Sequence, residues 1–130
     1  MSHRLTISVH PDLYAICRLE PDDAIPDWAP NTSFYSVTRT PHELSIVCRE
    51  DRVAAGTRAE RGRRLMRIEG TLPFSLTGIL AAVTKPLAEA SISVFAVATY
   101  DTDYLLIPAA DLERGIAVLE EAGHTVSHAG

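Results

Sequence analysis

Three features of the 130-residue sequence predict an α+β fold. Short runs of alternating apolar and polar residues recur between proline- and glycine-bearing turns, as strands require. Two longer segments, 79–90 and 111–122, carry apolar residues at helical spacing. The second half of the chain then reads strand, helix, strand, strand, helix, strand. That βαββαβ order belongs to a ferredoxin-like unit, with both helices on one face of an antiparallel sheet.

The first half is strand-rich. Leu5 to Val9 alternates, Pro11-Asp12 marks a turn, and Tyr14 to Leu19 reads as a second strand. Residues 20–33 hold Pro21, Pro26 and Pro30 with Asp22, Asp23 and Asp27, a loop with room for one helical turn near Trp28. Phe34 to Thr38 and Leu44 to Arg49 are two further strands, joined through Arg39-Thr40-Pro41-His42. Residues 50–62, polar and carrying Gly56 and Gly62, read as a linker.

In the second half, Arg64 to Glu69 is a strand with Met66 and Ile68 on one face and Leu65 on the more polar one. Ile79, Leu80, Val83 and Leu87 share one helical face, and Thr77 is placed to cap that helix. Pro86 removes a backbone donor and is expected to kink the helix or start a new turn. Ile92 to Ala98 and Tyr104 to Ile107 form a hairpin that Pro108 ends. Leu112, Ile116 and Leu119 define the second helix, Gly123 stops it, and residues 124–127 close the chain as a short strand.

Composition narrows the function. The hydrophobic fraction of 46% is enough for a core, 22% charged residues exclude a disordered type, and net charge −5 disfavours nucleic acid or anionic membrane as the main partner, since both reward clustered positive charge. No apolar run approaches the roughly 20 residues that cross a bilayer. The opening MSHRLTISVH lacks the apolar core of a signal peptide, so a cytoplasmic protein is expected. In that reducing setting Cys17 and Cys48, both within strand-like runs, are expected to be buried thiols.

The stretch VTRTPHELSIV from Val37 echoes VATYDTDYLLI from Val97 at an offset of 60 residues without a gap. Both are strand, polar turn, strand. The echo suggests two related modules, the first abbreviated.

The segment LTGILAAVTKPLAEASISVFAVATYDTDYLLIP resembles the ACT-domain proteins of a small bacterial tandem-ACT group, related to the CASTOR-type amino-acid sensors. The resemblance implies an ACT domain over residues 61–130, preceded by an abbreviated ACT-like module over residues 1–60. It implies a non-catalytic regulatory protein that binds a small molecule, an amino acid, at an ACT–ACT interface in a homodimer, with no cofactor and no metal. Carried over residue by residue, the ligand contacts are Thr77, Gly78 and Ile79 at the turn into the first helix, and Thr99, Tyr100 and Asp103 in the hairpin. Asp103 would meet a ligand ammonium or guanidinium. Two departures bear on specificity. Leu76 stands where the arginine-sensing relatives have an acidic residue, and this chain holds about two modules where those sensors hold four.

Read by themselves, the same residues admit plainer roles. Asp101 and Asp103 also suit a hairpin turn, and Thr77-Gly78 also suits a simple helix cap. Arg58, Arg61, Arg63 and Arg64 read as a solvated linker or as a contact for an anion or partner. His124 and His128 read as surface histidines, and Trp28 as a packing plug or a ligand platform. No nucleophile, phosphate loop or second carboxylate group accompanies Asp101 and Asp103, so an enzyme is not expected. The alternative to ligand binding is an assembly protein that keeps the fold and binds no ligand.

Overall fold

The computed structural model describes residues 3–30 and 33–129. The elements run β1 (Thr6–Leu19), β2 (Ser36–Arg39), β3 (Leu44–Arg49), β4 (Ala59–Ile68), α1 (Ile79–Glu89), β5 (Phe95–Ala98), β6 (Asp103–Pro108), α2 (Leu112–Glu121) and β7 (Thr125–His128). They form two compact units, residues 12–63 and residues 3–11 with 64–129. The opening strand residues thus belong with the C-terminal unit. Residues 31 and 32 of the expected loop, and Met1 and Ser2, lie outside the described residues.

In the C-terminal unit the strand order is β7-β1-β4-β6-β5. The βαββαβ sequence of elements is present, but its last strand does not join its first. β7 pairs in parallel with β1, from Thr6 opposite Thr125 to Val9 opposite His128. Antiparallel β5 and β6 pair from Phe95 opposite Leu106 to Ala98 opposite Asp103. Ile79, Val83 and Leu87 of α1 and Leu119 of α2 bury against Ile7, Val9, Met66, Ile68, Leu105 and Ile107 of the sheet. Each such side chain contributes roughly 1.5–3 kcal/mol of burial free energy. Leu65, expected on a polar face, is fully buried on the sheet side away from the helices, and so is Leu106.

Several local expectations are corrected here. β1 is one strand through Pro11, not two strands and a turn. Its pairing with β7 ends at Val9 and its pairing with β3 begins at Tyr14, so the missing proline N–H falls between the two ladders. Thr77 does not cap α1. Gly78 occupies that position with φ +79°, a left-handed conformation open to glycine, and makes no side-chain cap. α1 also continues through Pro86. The strand expected from Ile92 begins only at Phe95, because Ser91 turns the chain at φ +60° and the Ile92 N–H is held by the Leu87 carbonyl at 2.9 Å.

The N-terminal unit is built on β3, which pairs with β2 on one side and with the second half of β1 on the other. Ala15, Cys17, Ala29, Leu44, Ile46 and Cys48 form its core, and Trp28 packs against them as a plug. Both cysteines are free and buried, and the hydrogen bond that the Cys48 thiol donates to Cys17, with burial adding to it, pushes the Cys48 thiol up. Its one described helical element is a single 3-10 turn, Glu50–Arg52. The expected linker is shorter than the sequence suggested, because β4 already begins at Ala59. Arg61, Arg63 and Arg64 therefore lie on a strand, their long stems leaving the backbone free to pair.

Candidate functional site

The hairpin of β5 and β6 turns through Thr99, Tyr100, Asp101 and Thr102. The Thr99 N–H donates to the Thr102 carbonyl at 2.8 Å, and the Thr99 hydroxyl accepts the Thr102 N–H at 3.3 Å. That hydroxyl also donates to the Thr102 carbonyl at 2.9 Å, so Thr99 is committed to the turn. Buried Thr102 anchors the turn to β4, its hydroxyl donating to the Ile68 carbonyl at 2.7 Å. The Leu72 N–H donates to the Asp101 carbonyl at 2.7 Å and ties down the segment that leads toward α1.

The β2–β3 hairpin repeats this construction. The Thr40 N–H donates to the Glu43 carbonyl at 2.9 Å, and the Thr40 hydroxyl accepts the Glu43 N–H at 3.1 Å. Arg39 pairs with Leu44 as Ala98 pairs with Asp103. The two hairpins therefore correspond with Thr40 at Thr99 and Glu43 at Thr102, one residue short of the offset read from the sequence. In that correspondence Asp103 takes the place of Leu44, a fully buried core residue. The hairpin itself needs no acid at this position.

The turn into α1 lies beside the hairpin in the same unit. Here the Nε2 of His3 donates to the Thr77 carbonyl at 2.9 Å, across 74 residues of sequence. Gly78 then opens the helix. As at any helix start, the first amides have no intrahelical acceptor, and they carry the positive end of the helix dipole.

The six residues expected at a ligand site fall into two adjoining hollows. Thr77 and Gly78 line a groove of about 840 Å³ with His3, Ala81, Ala82 and Lys85. Ile79, Thr99, Tyr100 and Asp103 line a smaller hollow of about 200 Å³ with Leu72 and Phe74. Leu76 lines both. Phe74 and Tyr100, 76% and 77% exposed, stack with ring centroids 4.6 Å apart at 59°. Asp103 is half-buried, and its carboxylate has no hydrogen-bond or ion-pair partner among the described residues. Asp101 is exposed at the tip of the turn.

Three further residues of this region carried no local signal in the sequence. His3 and Phe74 reach the hollows through tertiary contacts. His124, expected at the surface, is 5% exposed and lines the larger groove. Its Nδ1 accepts the Leu5 N–H at 3.1 Å and its Nε2 donates to the Ala82 carbonyl at 2.9 Å, so both ring nitrogens are engaged. Among the described residues no three His, Cys, Asp or Glu side chains gather as a metal site. No helix among the described residues is long and apolar enough to cross a membrane.

Comparison with known proteins gives the following. Residues 58–121 match the family model described as an ACT domain, and residues 12–56 match a model for an N-terminal domain. The crystal structure of protein Atu0741 from Agobacterium tumefaciens is 37% identical, covers 99% of this chain and 96% of its own, and superposes with a TM-score of 0.94. VC0802 from Vibrio cholerae, a protein of unknown function and possible transport protein, is 20% identical over 92% of this chain and 90% of its own, with a TM-score of 0.74. The ligand-free regulatory subunit of aspartate kinase from Thermus thermophilus is 12% identical over 89% of this chain and 96% of its own, with a TM-score of 0.62. At such identities the last two likenesses concern the fold alone. No curated protein matches the chain in sequence.

Proposed function

The chain belongs to the family of Atu0741 and carries an ACT domain, and on that premise we propose that it is a non-catalytic, amino-acid-binding regulatory protein. It acts as a cytoplasmic homodimer, with the ligand held near the junction of ACT modules. One observation carries this reading. Asp103 places an unpartnered, half-buried carboxylate where the corresponding hairpin has a core leucine, beside the first residue of α1. A carboxylate so placed suits a ligand ammonium, and the amides that open α1 suit a ligand carboxylate. The full-length fold likeness to a regulatory subunit of aspartate kinase supports a regulatory role without naming the ligand. Of the six residues, Asp103, Tyr100 and Ile79 are the proposed contacts in the smaller hollow. Thr77 and Gly78 shape its neighbour, and Thr99 holds the turn.

A second reading, an assembly module with no ligand, draws on the exposed Phe74–Tyr100 pair. Thermal unfolding with each standard amino acid in turn separates the two. A ligand at 100 times its Kd stabilises the folded state by about 2.7 kcal/mol. The expected result is a selective rise in Tm that Asp103→Ala abolishes. A rise that survives Asp103→Ala removes the proposed role of that residue, and no rise with any amino acid favours the assembly reading.

A further inference from the structure

Residues in and just after the C-terminal turns of α1 and α2 line an open hollow of about 340 Å³. Its apolar lining comes from Pro86, Ala90, Val118 and Ala122, and its charged lining from Glu89 and Glu121. Neither glutamate has an ion-pair partner among the described residues. Apolar walls with two carboxylates match the chemistry of a lysine side chain, whose methylene stem packs on apolar surface while its ammonium seeks anions. The same helix supplies such a group. Lys85 is exposed, one helical turn before Glu89, and is likewise unpaired.

We propose that this face is the contact between two copies of the chain, each inserting Lys85 into the Glu89–Glu121 hollow of the other. A twofold axis between antiparallel α1 helices makes the exchange reciprocal, because a self-complementary patch meets itself about such an axis. Charge complementarity selects this occupant. The patch bears Lys85 and two unpaired anions on a small apolar centre, with Arg114 at its edge held by Asp111 and the Ala90 carbonyl, and a second copy turned by half a revolution presents Lys85 and the anions in the opposite order. The proposal deepens the homodimer reading by naming the face that joins the two chains.

Sedimentation of the full chain, with two variants, tests it. Lys85→Glu alone sets acid against acid, and Glu89→Lys with Glu121→Lys sets base against base. Each is expected to weaken the homodimer roughly tenfold or more. Mixed in equal amounts, the two variants regain complementary contacts and are expected to form a heterodimer near wild-type strength. A dimer indifferent to both variants, or a mixture that stays monomeric, overturns the proposed face and leaves the amino-acid reading intact. A wild-type chain that is monomeric at all concentrations overturns both this face and the dimer of the functional reading. Ligand-dependent Tm shifts then report on ligand binding independently.

Discussion

The Nε2 of His124 lies 2.9 Å from the carbonyl oxygen of Ala82, the acceptor that Pro86 leaves without its helical donor. In an α-helix the N–H of residue 86 would bond the carbonyl of residue 82. Proline has no N–H, yet α1 runs unbroken from Ile79 to Glu89. The imidazole supplies the missing donor from 42 residues away, and its other nitrogen accepts the Leu5 N–H. One buried side chain thus ties α1, β1 and the approach to β7 together.

His124→Ala strands a carbonyl and an amide, and it opens a cavity. The expected loss is about 2–4 kcal/mol in urea unfolding. Pro86→Ala returns the helical N–H, so in the His124→Ala background it is expected to recover roughly 1 kcal/mol. In the wild-type background the new N–H finds its acceptor already taken, and the same change is expected to fall within about 1 kcal/mol of neutral. Strictly additive effects of the two substitutions would disprove the shared acceptor.

This relationship shows where the sequence was legible and where it was not. Apolar spacing in α1 announced Ile79, Val83 and Leu87 as buried, since periodicity is a local signal. The bounds of β3 follow from an apolar run beside a hairpin-like connection, which is also a local signal. Pro11 and Pro86 misled because the relief for each comes from a distant partner. For Pro11 it is a change of neighbouring strand, and for Pro86 it is His124. Asp103 is marked through the resemblance, because an aspartate at that position in the hairpin suits a plain turn equally well. The division of the six residues between two hollows depends on His3 and Phe74, which no local pattern connects to them. The hairpin echo was visible, but its true register depended on the Thr40 and Thr99 turns.

Acid sensitivity should concentrate at Glu69. The Ser8 hydroxyl donates to its carboxylate at 2.5 Å, and the Arg67 guanidinium stands 3.0 Å from the other oxygen. The serine hydrogen bond foremost, with Arg67 adding to it against the cost of desolvation, holds this carboxyl below its ordinary value of 4.5. A depressed pKa in the folded state stabilises the fold above the unfolded value, and that contribution is lost as pH falls through the folded one. Ser8→Ala is therefore expected to raise the midpoint of Glu69 in a carboxylate NMR titration. It should also make stability fall less steeply as the solution is acidified below that ordinary value. An unchanged Glu69 midpoint in the variant would assign the depression to Arg67 instead.

Gly115 lies inside α2 where a glycine costs helix stability, and the packing explains its presence. A Cβ there would stand 3.0 Å from Cδ1 of Ile107 and 3.5 Å from Cδ2 of Leu87. Gly115→Ala gains about 1 kcal/mol of helix propensity. Against that, pressing a methyl into a filled core costs roughly 1–3 kcal/mol. The net expectation is a loss of about 1 kcal/mol, read as a lower Tm. Ile107→Val deletes the very atom in the way and alone costs about 0.5–1.5 kcal/mol. In the Ile107→Val background the added methyl fills the space left by Cδ1 while the propensity gain remains. There Gly115→Ala is expected to stabilise. If it destabilises equally in both backgrounds, the conflict is not with Ile107, and the glycine is held by the approach of α2 to Leu87.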